Sequence, residues 1–291
     1  MLISDKLKSI DNFSKSEEVI ANYILKEKES IKHLSTKDLA NYTYTSPSTI
    51  VRFSQKLGFS GWNQLKEKFL EEVLYLNTHF SNIDPNFPFD STDTLMTISS
   101  KISTLAIDSI NDTLSLLNHD TLKKATDLMN NCRIINVYST SSSLLMAYDF
   151  KHKMMCINKH VEIVNLPGEQ IMVASNSSPE HCAIVISYSG QSKEVLKVAK
   201  KLKEKNTPII VLTSIGENDL KPFGDCVFSL TTREKLYSKI AEYSSTNSIH
   251  LILDILYSCL FKMNYHENIQ YKTNNSKALD DRYSNNILLK E

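Results

Sequence analysis

Residues 183–192 read Ala-Ile-Val-Ile-Ser-Tyr-Ser-Gly-Gln-Ser and run into the lysine-rich stretch from Lys193 to Lys205. The apolar run Ala183-Ile184-Val185-Ile186 has no polar alternation, which predicts a strand covered on both faces, as in a parallel sheet. After Gly190 the period changes, and Val195, Leu196, Val198, Ala199 and Leu202 fall on one face of an amphipathic helix. The segment is a strand, a hydroxyl-rich loop and a helix. Such a loop sits on a helix N-terminus, where unpaired N–H groups and the positive end of the macrodipole favour an anion. Gly190 lets the backbone approach a ligand or take φ > 0, and no Lys or Arg lies in 183–192, so binding would use neutral donors. That suits the phosphate of a polar metabolite; an ordinary βα turn capped by serine would use the same residues.

Further strands are expected near 134–138, 161–164, 209–213 and 226–230, separated by helical or Pro-Gly-Asn segments. Strands alternating with helices predict a doubly wound parallel sheet of five strands between helical layers, with ligands at its carboxyl edge. Tyr138-Ser139-Thr140-Ser141-Ser142-Ser143 ends the first strand and opens a helix, a second hydroxyl-rich helix N-terminus on that edge. The pattern Ser187-x-Ser189-Gly190-x-Ser192, followed by Glu194, resembles the phosphosugar-binding loop of the sugar isomerase (SIS) domain, over about residues 105–265. The resemblance implies that Ser187, Ser189, Gly190, Gln191, Ser192 and Glu194 contact an effector, and it aligns Ser143 with the family's phosphosugar-contacting serine. Ser139 and Ser141 stand where the family usually has glycine, so the pocket is expected to be narrowed or its loop rebuilt, and Asn247 replaces a usual arginine.

The N-terminal region is helical in pattern. Ser14 and Glu17 form a capping box ahead of the apolar stripe Val19, Ile20, Tyr23 and Ile24; Ser35 caps a short second helix, and Ser46 with Pro47 at N1 opens a third that ends at Gly58. On the third helix Ser48, Thr49, Arg52, Gln55 and Lys56 share one face, with Ile50, Phe53, Ser54 and Leu57 opposite. Between Ile31 and Lys68 six basic residues face two acidic ones, in a chain whose 33 Lys+Arg balance 33 Asp+Glu. Any nucleic-acid surface is therefore local. Short helix, turn and basic second helix describe a helix-turn-helix, though a solvated helical packing domain has the same pattern. Ser46-Pro47-Ser48-Thr49-Ile50-Val51-Arg52-Phe53-x-x-Lys56-Leu57-Gly58-Phe59-x-Gly61-Trp62 resembles the recognition helix, and the segment after it, of the RpiR family of bacterial transcription regulators. The candidate DNA-binding residues are Ser46, Ser48, Thr49, Arg52, Gln55 and Lys56; by the family's pattern Ser48, Thr49 and Arg52 meet DNA while Trp62, Leu65 and Phe69 pack the core.

A chain of 291 residues with 41% hydrophobic content is long enough for two domains. The five cysteines lie far apart with no Cys-x-x-Cys pair, which predicts reduced, mostly core residues of a cytoplasmic protein, and no apolar run approaches the length of a membrane span. The expected division is a helix-turn-helix domain at 1–77, a linker and lead-in helix at 78–104, the SIS domain at 105–265 and a polar tail at 266–291 that frays from about Thr273. No dinucleotide fingerprint or ATP-binding loop is present, and no cofactor is expected. His152, Cys156 and His160 have helical metal-ligand spacing, but Asn158 stands where the resembled family has Gly, which implies that the helix ends there in αL and turns His160 away. An isomerase would need a carboxylate or His beside the sugar, for which Glu169, Glu194 and His181 are the candidates. The reading is an all-helical helix-turn-helix domain joined to an α/β/α sensor of a phosphorylated sugar, binding duplex operator DNA as a homodimer or homotetramer, with a sugar-phosphate isomerase as the alternative.

Overall fold

The computed structural model describes residues 3–8, 13–78, 83–140, 142–166, 168–279 and 288. The chain divides into two compact units. One takes in the chain to Asp84, Pro88–Asp108 and Ile215–Asn218; the other takes in Pro85–Phe87, Ser109–Ser214 and the chain from Asp219.

The first unit contains α1 (Ile3–Lys8), α2 (Lys15–Glu27), α3 (Thr36–Tyr42), α4 (Pro47–Lys56) and α5 (Trp62–Thr78). Local chemistry sets their bounds. Ser14 and Glu17 close a reciprocal capping box at α2, Ser35 and Asp38 close another at α3, and the Ser46 hydroxyl accepts the Thr49 N–H at 3.2 Å to start α4. Gly58, at φ +94°, stops α4, with Gly58 N–H donating to Gln55 and Phe59 N–H to Ser54. Inward faces of these helices build one core around Ile20, Ile24, Leu39, Ile50, Phe53 and Leu65. Trp62 is 2% exposed and donates its indole N–H to the Leu34 carbonyl at 3.0 Å. Each such large apolar side chain contributes roughly 1.5–3 kcal/mol by burial.

The second unit is a parallel five-stranded sheet in the order β2-β1-β3-β4-β5: β1 (Ile134–Tyr138), β2 (Val161–Ile163), β3 (His181–Ser187), β4 (Ile209–Ser214) and β5 (Cys226–Leu230). The unbroken apolar runs have a simple cause. Along β3, Cys182, Ile184 and Ile186 enter one core with residues of α7 (His119–Asn131), α8 (Ser143–Met155) and α11 (Ser244–Met263). Ala183 and Val185 enter a second core with residues of α9 (Glu169–Ser175) and α10 (Lys193–Glu204). Leu212 and Val211 of β4 divide in the same way, so both faces need apolar side chains. The connection from β1 runs to β2 and that from β3 to β4, on opposite sides, so the carboxyl edge between β1 and β3 is the topological switch point.

Several expectations change. The helix α6 (Leu95–Ser115) arrives as foreseen, but the stretch expected to fray from Thr273 is helical: α12 runs Tyr265–Leu279 without a buried residue. It continues from α11 after one break at Asn264, held by an edge contact between Phe261 and Tyr265 and by the Asn268 amide on the Phe261 carbonyl at 2.9 Å. Only Cys182 and Cys226 are buried; Cys132, Cys156 and Cys259 are half-buried, and all five are free thiols. Among the described residues no helix is long and apolar enough to cross a membrane.

Candidate functional site

On α4 the polar residues foreseen for one face do emerge there. Ser46, Ser48, Arg52, Gln55 and Lys56 are exposed and Thr49 is half-buried, while Ile50, Phe53 and Ser54 are buried. The Ser46 hydroxyl is a hub, 2.7 Å from the hydroxyl of Ser48 and 2.8 Å from that of Thr49, so the three at the helix start hold one another in place. Lys56 is committed elsewhere. Its ammonium donates to Glu17 at 2.9 Å and lies 5.4 Å from the centre of the Phe13 ring, tying α4 to α2. That hydrogen bond from Lys56, followed by the one from the Ser14 backbone, holds the Glu17 carboxyl below its usual range. Among the described residues Arg52 and Gln55 make no such bonds, and both side chains are exposed. The turn before α4 is built on Thr43, whose hydroxyl donates to the Leu39 carbonyl at 2.7 Å, and on Tyr44, at φ +51°.

At the sheet edge, Ser187 closes β3 and is 8% exposed. Gly190 takes φ +64°, its N–H returning to the Ser187 carbonyl at 3.1 Å, and the Ser189 hydroxyl accepts the Gln191 N–H at 3.2 Å. Ser192 occupies the N-cap position of α10 with extended backbone, but its side chain makes no capping bond. Ser143 is the first residue of α8. The hydroxyls of Ser143, Ser187 and Ser192 have no hydrogen-bond partner among the described residues, whereas that of Ser142 donates to Glu242. The Cβ at residue 139 is accommodated because Ser139 is buried and donates to the Ile186 carbonyl at 2.9 Å, pinning the first loop to the end of β3. Gln170 holds the loop from the other side, donating to the carbonyls of Ser139 at 2.8 Å and Val164 at 3.0 Å. Ser141 lies outside the described residues.

Beside this loop is a cleft of about 390 Å³, lined among others by Ser139, Thr140, Asn165, Gln170, Glu194 and Lys197. Of the seven foreseen effector residues only Glu194 lines it, so the cleft adjoins the serine loop on the side of α9 and α10 without containing it. Sequence reading missed two residues of this region, Tyr188 and Glu234. The Tyr188 hydroxyl donates to the Glu234 carbonyl at 2.9 Å and accepts the Glu234 N–H at 3.0 Å. Burial, and then Glu234, push its phenol well above the usual value. Partners 46 residues apart leave no local signal.

His181 lies at the amino end of β3, roughly 20 Å along the strand from Ser187, and accepts the Ser178 N–H at 3.1 Å, so it cannot share a centre with Glu194. His152, Cys156 and His160 do not converge: α8 ends at Met155 and Asn158 takes φ +56°. Among the described residues, Asp149, His250 and Asp254 alone bring candidate metal ligands within 4.8 Å of one another. The Lys153 ammonium, ion-paired with Asp254 and 2.7 Å from Asp149, already supplies the positive charge there.

Two family models match the chain. The helix-turn-helix domain of the rpiR family covers residues 1–74 and the SIS domain covers 128–261. An uncharacterised HTH-type transcriptional regulator of Caldanaerobacter subterraneus subsp. tengcongensis is 29% identical across 94% of this chain and 95% of its own length. The NanR protein of Vibrio vulnificus, solved in complex with ManNAc-6P, matches 96% of this chain and 99% of its own at a TM-score of 0.61 and 22% identity. A putative sugar-phosphate isomerase of Listeria monocytogenes matches 62% of this chain and 97% of its own at a TM-score of 0.54 and 17% identity, and so shares the fold of the sheet unit. The isomerase matches 62% of this chain, whereas the Caldanaerobacter regulator matches 94% of it. With the recognition helix and the sheet matched in this order, the chain belongs to the RpiR family: it is a helix-turn-helix transcriptional regulator carrying a SIS domain.

Proposed function

We propose that this regulator reads a specific operator through Arg52, Gln55 and the Ser46–Ser48–Thr49 cluster, and that its SIS domain senses a phosphorylated sugar or amino sugar. The effector reading is carried by one observation: among the described residues the hydroxyls of Ser143, Ser187 and Ser192 have no partner at the switch point of a parallel sheet, beside the N-termini of α8 and α10. Hydroxyls and helix-end N–H groups suit a phosphate held without cationic side chains. NanR, complexed with ManNAc-6P, supports the ligand class. A single helix-turn-helix covers one half-site, so the working unit is a symmetric homo-oligomer whose two heads, residues 1–77, engage half-sites spaced by whole helical turns. Exposed Ile107, Ile110 and Leu114 on α6 offer apolar surface for that pairing.

A thermal-shift panel of sugar phosphates against the same free sugars tests the sensor. A phosphorylated compound at about 100 times its dissociation constant should add roughly 2.7 kcal/mol of stability. Equal response to the unphosphorylated sugars would leave the serines structural. For the head, selection from genomic fragments at low salt should enrich a sequence with two related half-sites; no enrichment would overturn the DNA reading.

A further inference from the structure

Tyr188 sits inside the effector loop, yet its hydroxyl binds both backbone groups of Glu234. Glu234 is fixed in turn. Its carboxylate accepts the N–H groups of Ser244 and Ser245 and the Ser245 hydroxyl, capping the start of α11. The residues on either side of Glu234 hold a third segment. Lys235 N–H donates to the side-chain carbonyl of Asn86 at 2.7 Å, the Asn86 amide reaches the Arg233 carbonyl at 3.4 Å, and Ile240 N–H donates to the Asn86 backbone carbonyl at 2.9 Å. Asn86 is 6% exposed. It lies in Pro85–Phe87, which groups with the sheet unit although Asp84 before it and Pro88 after it group with the other.

We propose that Tyr188 and Asn86 are positioning residues that couple the effector loop to the linker: Tyr188 locks the loop to residue 234, and residues 233–240 grip Asn86. This rests on the reading of Ser187–Ser192 as the effector loop. A phosphate drawn into that loop shifts the backbone on both sides of Tyr188. The hydroxyl cannot follow while both bonds to Glu234 hold, so either the bonds break or residues 233–235 move, and these carry two of the partners of Asn86. The grip on Asn86 is made of discrete hydrogen bonds, so the linker has a held state and a released state, which is what coupling between two sites requires. Tyr188 makes no hydrogen bond to the linker among the described residues; its effect passes through Glu234.

Amide hydrogen exchange on the full chain tests the coupling without any ligand. Tyr188→Phe keeps the ring and deletes the hydroxyl. Exchange at the N–H groups of Lys235 and Ile240 should then speed by about 3- to 10-fold, with Ile210–Leu212 of β4 unchanged as the check on folding. If only the Glu234 N–H loses protection while Lys235 and Ile240 keep theirs, the coupling is overturned. Asn86→Ala reads the same path backwards, through faster exchange at the Glu234 N–H, and decides the matter if Tyr188→Phe does not fold; an unchanged Glu234 N–H there also overturns it. Inorganic phosphate supplies the second arm. In the wild type it should alter exchange at Gly190–Ser192 together with Lys235 and Ile240, and in Tyr188→Phe at Gly190–Ser192 alone. Phosphate that leaves Gly190–Ser192 unmoved overturns the effector reading and the sensing role, while the ligand-free coupling is judged by the two variants. Phosphate that moves the loop but not Lys235 and Ile240 in the wild type overturns the coupling and leaves the effector reading in place.

Discussion

The start of α4 and the switch point of the sheet are both hydroxyl-rich helix N-termini, and they differ in what their hydroxyls do. At α4, Ser46 accepts the capping N–H and its neighbours Ser48 and Thr49 lie within 2.8 Å of it, so the serine cluster is already closed on itself. At the switch point Ser192 occupies a cap position without capping, and the hydroxyls of Ser143 and Ser187 have no partner among the described residues. One region is a rigid surface that offers Arg52 and Gln55 outward; the other keeps donors uncommitted. A surface that reads DNA gains from fixed geometry, whereas a site that detects a ligand gains from donors whose bonds form only when the ligand arrives.

The largest effect that sharpens this contrast is on the head's fold. Trp62→Ala removes a nearly fully buried side chain together with its bond to Leu34, and should destabilise the helical head by about 3–5 kcal/mol. Denaturation followed by far-ultraviolet circular dichroism should show the head unfolding early while the sheet unit keeps its own transition. A single unshifted transition would mean that the tryptophan carries little of the head's stability.

Next comes Arg52. If it reads a base edge, Arg52→Ala should weaken operator binding by about 1–3 kcal/mol, roughly 5- to 150-fold, while leaving the melting temperature nearly unchanged. Lys56→Met should leave operator affinity nearly unchanged and lower stability only slightly, because Lys56 is committed to Glu17. Fluorescence anisotropy on a selected duplex, run beside thermal melts, separates the two; equal losses of DNA affinity would break the distinction between the free and the committed cation.

Ser187→Ala addresses the uncommitted hydroxyls. Removing a donor that has no partner among the described residues should leave stability within about 0.5 kcal/mol of wild type, yet weaken sugar-phosphate binding by about 1–3 kcal/mol in a calorimetric titration. Ser139→Ala is the counterpart, since its hydroxyl bonds the Ile186 carbonyl: about 1 kcal/mol should be lost from stability even without ligand. Identical responses from the two would show that the serine loop is a structural turn.

How far the sequence carried follows from the range of each interaction. The strands were legible within a residue or two because a strand buried on both faces must be apolar throughout, and Ile209–Leu212 and Ala183–Ile186 read that way directly. Caps at Ser14, Ser35 and Ser46 were legible because each bonds a backbone N–H three residues on. Commitments across the fold were not. Lys56 to Glu17, Tyr188 to Glu234 and Asn86 to Lys235 span 39, 46 and 149 residues, and nothing local marks them. The α12 helix was missed for a different reason: its polar sequence gives no apolar stripe, and its start depends on α11.

The smallest expected effect concerns the Glu17–Lys56 pair and comes with a sign. The Glu17 side chain is 17% exposed and that of Lys56 42%, which places the pair among surface bridges worth about 0.2–1 kcal/mol. The folded carboxyl titrates below its ordinary value, chiefly because of the hydrogen bond from Lys56. A carboxyl with a depressed folded pKa contributes stability that is present above the unfolded value and disappears as pH falls through the folded one. Lys56→Met keeps the apolar stem beside Phe13 and removes the charge. It should therefore lower stability at pH 7 by about a few tenths of a kcal/mol, the gap to wild type closing as the pH falls through the depressed folded pKa, below which Glu17 is protonated in both states. Urea denaturation of both proteins at pH 7 and pH 3 measures this. A gap that stays constant between the two would mean that Lys56 holds α4 through its methylene stem rather than its charge, and would return the ammonium to the surface that α4 offers to DNA.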